Sequence, residues 1–339
     1  MKKQPVQVIG VGSPVVDLVA EIDDARLNSV PGKKGGMELV DADTITSLLS
    51  LVEGRPVKAP GGSAGNTTFA LARMGMSCAF MGKVGRDENG EFYRDLFEDI
   101  GGDISRFKNH DSRPTACCLS LVTPDSERTM RTDLGAAAGF SPEDLTPEDF
   151  AGCRHAHVEG YLLFNRDLLD AVLKSAKAAG CTVSLDLGSF EVVEAARDIL
   201  PKVLENYVDV VFANEEEAAA FSGSNDPKVG LAALRALCEV AAVKVGKDGA
   251  WVQDGGAPRH VPAMPTDKIL DTTGAGDYWA AGFLFSHLNG YPVITSARLG
   301  ALLGKHVIAH YGAALNRRTW GEIIGESTIL LSQKEEDLC

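Results

Sequence analysis

The segment Asp271-Thr272-Thr273-Gly274-Ala275-Gly276-Asp277 sets two glycines and a closing carboxylate directly before the apolar run 278–285. An apolar approach, Ile269-Leu270, leads into the glycines, and helical apolar spacing follows them. That order predicts a loop opening onto a helix N-terminus. Unpaired backbone N–H groups and the positive end of the macrodipole can hold an anion there. Gly274 and Gly276 let the backbone approach phosphate oxygens that a side chain would keep away. A carboxylate beside an anion site repels the ligand, so Asp277 needs a task of its own. One task is to take a proton from a hydroxyl that attacks the bound phosphoryl group. The other reading is structural, since Asp favours helix N-caps.

A second glycine cluster lies far upstream: Gly61-Gly62-Ser63-Ala64-Gly65-Asn66-Thr67-Thr68, continuing to Gly75, Gly82, Gly85 and Gly90. Residues 271–283 resemble the C-terminal signature of the PfkB (ribokinase-like) family of carbohydrate and nucleoside kinases, and the upstream cluster resembles its N-terminal signature. The similarity runs from Val8 to about Leu315. It implies an α/β fold: a ribokinase-like, doubly wound, mostly parallel sheet with a small β-sheet lid. It also implies transfer of the γ-phosphate of ATP to an alcohol, with Mg2+ as cofactor. Asp277 would then be the base, and the amides of Gly274, Ala275 and Gly276 the anion hole. Arg128, in Glu127-Arg128-Thr129-Met130, would be the lid cation that reaches the transferring phosphate. Asp271 and Thr273 resemble positions that bind a monovalent cation, K+, in many relatives.

The elements that must carry these groups can be traced along the chain. Residues 6–12 read as a buried first strand ending in a glycine turn, which puts Asp17 at its carboxyl end, where open α/β sheets bind ligands. Asp17 reads as a solvated turn residue or, from the resemblance, as an acceptor for two vicinal sugar hydroxyls. Gly61 and Gly62 permit close contact with a substrate ring. Asn66 can bind a hydroxyl or cap the helix 67–74, or both. Residues 78–84 read as one strand and 89–100 as a helix. Beyond Ala151 the strands 155–160, 182–186 and 208–213 alternate with helices 167–179 and 192–200, which implies right-handed crossovers and a parallel sheet.

Segments 13–40 and 104–123, rich in short alternations and turns, read as the small lid that excludes water from a transfer site. Segments 1–12, 41–103 and 124–331 then form the large domain that binds nucleotide and substrate. The polar, acidic stretch 332–339 reads as a mobile tail. Asn214 and Glu217 bound Asn214-Glu215-Glu216-Glu217, whose three carboxylates favour the start of a helix through its dipole. From the resemblance they are an Asn-x-x-Glu element, Asn214 at the ATP and Glu217 positioning Mg2+ through water. The resemblance also places ATP against Lys244, Gly246 and Gly249, with Gly312 in the loop closing the base site. Lys244 and Lys247 read equally as surface charges. His306 and His310 lie four apart, but no third ligand accompanies them, and a metal pair is rejected.

Composition bounds the partners. The 339 residues carry a formal net charge of −14, which argues against nucleic acid or an anionic membrane but not against a nucleotide held by a local positive site. Seven scattered cysteines without a Cys-x-x-Cys pair fit a reduced, cytoplasmic protein. No secretory signal or membrane-length apolar run is present in the sequence. The expected partners are ATP and a small sugar or nucleoside, with the chain a monomer or a homodimer through the lid.

The substrate reading rests on the resemblance and on aromatic side chains. Glu127–Met130, Leu134-Gly135-Ala136, Glu159-Gly160-Tyr161-Leu162 and Gly12-Ser13-Pro14 look like the adenosine-kinase-like branch. Tyr161, Phe164, Met37 and Met130 supply a candidate slot for a base, though each also reads as core or lid packing. The alternative is a kinase for ribose, fructose or a related ketose. A non-catalytic binding protein is disfavoured by the intact Gly-Ala-Gly loop and Asp277.

Overall fold

The computed structural model describes residues 6–30, 32–52, 54–125, 127–266 and 268–333. Its centre is an eight-stranded sheet in the order Arg259–Val261, Ala250–Gln253, Val240–Lys244, Val210–Asn214, Thr182–Asp186, His155–Glu159, Val8–Val11 and Cys78–Met81. The six strands from Val240–Lys244 to Cys78–Met81 are mutually parallel, and the last hairpin is antiparallel. Their residues are largely buried on both faces, as a parallel sheet covered on both sides requires, with the buried His155 and His157 bonded to the Ser184 hydroxyl. Val8, Phe80, Val210 and Ala242 pack into one core, while Ile9, Ala79, Val211 and Val243 pack into the other.

A five-stranded sheet stands apart, ordered Met37–Leu39, Arg128–Asp133, Ala116–Val122, Val15–Glu21 and Val57–Gly61. It corrects the segment boundaries read from sequence. The strands Val57–Gly61 and Arg128–Asp133 lie outside 13–40 and 104–123, yet both are hydrogen-bonded into this sheet. Residues 104–110 do not join it: Ile104–Arg106 is a short 3-10 turn, and Lys108–His110 pairs with Lys83–Gly85. Asp17 is likewise not at the end of the first strand but within Val15–Glu21. The expected strand 78–84 breaks at Gly82, where a Cβ would meet the Gly12 carbonyl at 2.3 Å. The expected helix 192–200 is two helices, Phe190–Ala195 and Leu200–Tyr207, the second opening with Pro201 in its first turn, where proline's missing donor costs nothing. Of the expected mobile tail, residues 334–339 lie outside the described residues.

Two contacts bring the glycine clusters together. The helix Ala275–Leu288 is buried from Tyr278 through Leu284, so its sequence shows no polar stripe. It crosses Val293–Val307 at two glycines: a Cβ on Gly282 would sit 2.5 Å from the Leu299 carbonyl oxygen, and one on Gly300 would sit 2.7 Å from that of Trp279. Its first turns also lie against Ser63–Arg73, where the Thr67 hydroxyl donates to the Asp277 carbonyl at 3.1 Å. Helix propensity alone predicts that Gly282→Ala stabilises the protein by up to about 1 kcal/mol. We expect the reverse, a loss of about 1–3 kcal/mol from overpacking, measured by denaturant unfolding. An unchanged or raised midpoint would show that the crossing has room to spare.

Candidate active site

The four parallel strands that follow one another in the middle of the large sheet each end in a polar residue: Glu159, Asp186, Asn214 and Lys244. They pair in twos, Glu159 opposite Asp186 and Asn214 opposite Lys244, with Asp186 itself opposite Phe212. This carboxyl edge faces a cavity of about 1360 Å³, which also meets the five-stranded sheet at Asp17 and the loop 272–277. A pocket for one small ligand is typically ~300–1,000 Å³, so the volume suits two.

Asp277 lies in the first turn of Ala275–Leu288, but the helix is capped by Gly274, in the left-handed conformation at φ 75°. The N-cap reading of Asp277 therefore fails, and its carboxylate is turned to other partners. Ser63 Oγ donates to Oδ1 and Asn66 Nδ2 to Oδ2, each at 2.8 Å. Asn66 does not cap its own helix either, because Gly62 does so at φ 86°. Withdrawal from water pushes the Asp277 pKa up to about 6; Asn66 pulls it down, Asp186 pushes it up, and Ser63 and Lys244 pull it down.

Where the cavity meets the five-stranded sheet, burial pushes Asp17 up to about 7, opposed by Arg128 and reinforced by Asp277 and Asp271. Gly61 does not line the cavity; a Cβ there would lie 2.4 Å from Asp17 Oδ2, so the glycine makes room for the carboxylate. Glu159, which the sequence reading did not single out, accepts from the Ser13 amide at 2.8 Å and the Ala64 amide at 3.3 Å. It ties the first-strand loop to the upstream glycine cluster. Burial raises it to about 7 against those two amides. Tyr161, Phe164, Met37 and Leu39 line the same cavity, and their exposures of 43, 61, 52 and 64 % leave an apolar shelf at its mouth. Met130 is not among the lining residues.

At the other end lie Asn214, Glu217, Lys244, Gly246 and Gly249. Asn214 and Glu217 form a reciprocal capping box. The Asn214 amide and Nδ2 donate to the two Glu217 oxygens, and Asn214 Oδ1 accepts from the Glu217 amide, each at 2.8 Å. Glu217 is buried, and burial followed by Asp186 pushes its pKa up to about 7. Its oxygens retain free lone pairs at the wall of the cavity it lines, which fits an outer-sphere, water-mediated cation such as Mg2+. Lys244 is no surface charge: its Nζ is 2.9 Å from Asp186 Oδ2, with both side chains largely buried.

The anion loop is braced from behind by Asp271. Its Oδ1 accepts from the Thr273 amide at 3.0 Å and hydroxyl at 2.8 Å, while Oδ2 accepts from the Gly312 amide at 2.6 Å. Arg128 Nη2 lies 2.9 Å from the same Oδ2, with the guanidinium over the Tyr311 ring. Asp271 and Thr273 therefore do not fit a monovalent-cation role, because protein donors and a guanidinium occupy the carboxylate. Arg128 is engaged by Asp271 rather than aimed into the cavity, and Gly312 serves the loop rather than lining a base site. His306 and His310 are bonded to Glu326 and Thr319.

Residues 39–320 match the pfkB family carbohydrate kinase model. The chain belongs to this family. The adenosine kinase of Sinorhizobium meliloti superposes with a TM-score of 0.84 at 33 % identity, covering 95 % of this chain and 99 % of that one. A fructokinase of Klebsiella pneumoniae is 32 % identical over 253 residues, 71 % of this chain and 81 % of that protein. The adenosine kinase of Dictyostelium discoideum is 26 % identical over 331 residues, 91 % of this chain and 96 % of that protein. The fold is thus ribokinase-like α/β, and the activity is phosphotransfer from ATP to a sugar or nucleoside hydroxyl. Among the described residues, no helix is long and apolar enough to cross a membrane.

The expectation that Asp277 is the base predicts that kcat/KM falls as pH drops through about 6, where its carboxyl takes up a proton. Asn66→Ala removes the largest group holding that value down and should move the acid limb upward. A limb unmoved by Asn66→Ala would mean that Asp277 is not the group titrating.

Proposed function

We propose that this kinase transfers the γ-phosphate of ATP to the primary hydroxyl of a ribose-containing nucleoside, adenosine or a close analogue. The observation that carries the reading is the apolar shelf of Tyr161, Phe164, Met37 and Leu39, exposed at the mouth of the cavity that Asp17 and Asp277 line. A flat base covers such a shelf; a free sugar leaves it wet. The full-length similarity to adenosine kinases supports the same choice. Asp17, Glu159 and Asp277 add a second constraint: three carboxylate groups at one end favour a neutral acceptor over a phosphorylated or acidic sugar.

On this reading Asp17 accepts the ribose hydroxyls, and Asn66 reaches the acceptor through its bond to Asp277. The acceptor oxygen attacks the γ-phosphorus in line, Asp277 takes the proton, and the Gly274 and Gly276 amides bind the equatorial oxygens, the expected Ala275 amide being spent at 3.1 Å on the Thr272 carbonyl. Arg128 closes the lid sheet onto the anion loop through Asp271. Mg2+, held through water at Asn214 and Glu217, would screen the phosphate charge. The six described cysteines are free, which supports a cytoplasmic location. The fructokinase at 32 % identity favours a second reading, a ketose kinase with the shelf idle.

Steady-state kinetics with adenosine, ribose and fructose decides between them. Burial and stacking of the base should add at least about 2–3 kcal/mol, a preference of roughly 30- to 150-fold in kcat/KM for adenosine. Tyr161→Ala and Phe164→Ala should shrink that preference and leave residual sugar turnover largely untouched. Fructose turned over as well as adenosine, with both truncations silent, would replace the nucleoside reading by the ketose one.

A further inference from the structure

One buried pair at the cavity wall runs against ordinary electrostatics. The Lys244 ammonium lies against the first turn of Ala275–Leu288, where a Cβ built on Gly276 would be 3.1 Å from Nζ. A helix N-terminus carries partial positive charge and favours anions, so a lysine there is unfavourable by itself. Asp186 offsets it at 2.9 Å, with side-chain exposures of 14 % for the lysine and 7 % for the aspartate. Burial disfavours the ammonium, yet Asp186 and Glu217 outweigh it, and the net shift holds Lys244 charged. A pair kept only for packing is often replaceable by apolar residues at no loss of stability. This pair instead lines the cavity, beside the residue that precedes Asp277.

We propose that Lys244 is a catalytic residue of the phosphoryl transfer, its ammonium held by Asp186 so that it binds the γ-phosphoryl oxygens next to the Gly274 and Gly276 amides. Position selects the γ group. The hydroxyl held by Asp277 must lie within bonding reach of the γ-phosphorus, so the anion adjoining both Asp277 and Gly276 is that group. In the step, the acceptor oxygen forms its bond to the γ-phosphorus as the bond from phosphorus to the β–γ bridging oxygen breaks. The electron pair leaves with ADP, and the acceptor proton passes to Asp277. Lys244 gives up no proton; it neutralises charge on the moving group, a task for which Arg128, paired with Asp271, is not free in this structure. Asp186 is a positioning residue, acting through Lys244.

The inference rests on the kinase reading with Asp277 as base, and the test separates the two. Lys244→Met and Lys244→Arg are compared with Asp277→Asn, using whichever of adenosine, ribose or fructose the wild type phosphorylates fastest. Lys244→Met should lower kcat by about 10²–10³, as loss of one fixed transition-state donor does, and Lys244→Arg should recover part of it. Calorimetric titration should show ADP affinity within about threefold of wild type, while affinity for ADP with aluminium fluoride falls in step with kcat. Equal losses for ADP and ADP with aluminium fluoride would reduce Lys244 to a structural or general nucleotide-binding role. A folded Lys244→Met variant with near-wild-type kcat would overturn the proposal, while an inactive Asp277→Asn beside it would leave the base assignment standing. Should Lys244→Met fail to fold, Lys244→Gln retains a hydrogen bond to Asp186 without the charge and is read by the same outcomes.

Discussion

Everything at this site depends on one carboxylate being held by two helices from opposite ends of the chain. Ser63 and Asn66 belong to the helix after the first glycine cluster, and Asp277 belongs to the helix after the second. The two 2.8 Å bonds fix Asp277 in orientation and leave its remaining lone pairs for a substrate proton. The contact exists because small residues let three buried helices approach closely, Gly282 and Gly300 on one side and Thr67 on the other. Close helix packing at Gly282, Gly300 and Thr67 thus sets where the Asp277 carboxylate stands, on which the proposed base chemistry depends.

Charge is sorted along the same cavity. Asp17, Glu159, Asp277 and Glu217 are all pushed toward neutral pH by burial and mutual repulsion, and the balancing cations are Lys244 and Arg128. Neither cation is loose, since Lys244 donates to Asp186 at the sheet edge and Arg128 forms an ion pair with Asp271 behind the glycine loop. The end at Asp17 is therefore rich in hydrogen-bond acceptors and poor in positive charge. The end at Lys244 pairs a fixed ammonium with helix amides. On the proposed reading, that asymmetry tells a neutral hydroxylated acceptor from an anionic donor before any specific contact is made.

Much of this was legible from spacing. The loop 271–277 announced a helix N-terminus because glycines precede an unbroken apolar run, and the strand–helix repeats after Ala151 announced a parallel sheet. What was not legible was long-range pairing. Nothing local in Val57–Gly61 or Arg128–Asp133 says which sheet they join, because strand membership is decided by partners distant in sequence. The same holds for side chains. Asn66 read as a cap or a hydroxyl ligand because its bond to Asp277 spans 211 positions. Asp271 read as a cation ligand because the Gly312 and Arg128 donors that occupy it come from elsewhere. Glu159 and Asp186 did leave a signal: an acid closes each of two short strands, His155–Glu159 and Thr182–Asp186. Four adjacent strands ending in Glu159, Asp186, Asn214 and Lys244 mark the ligand edge of the sheet.

The account's central claim is that donor and acceptor meet at Asp277 and react directly, with no phosphorylated side chain between them. The stereochemical course at phosphorus tests this most directly. ATP made chiral at the γ-phosphorus with oxygen isotopes is turned over with the preferred acceptor, and the configuration of the product phosphate is determined. A single in-line displacement predicts inversion. Retention would require two displacements, with Asp277 or another residue as a covalent carrier, and would contradict its role as a base.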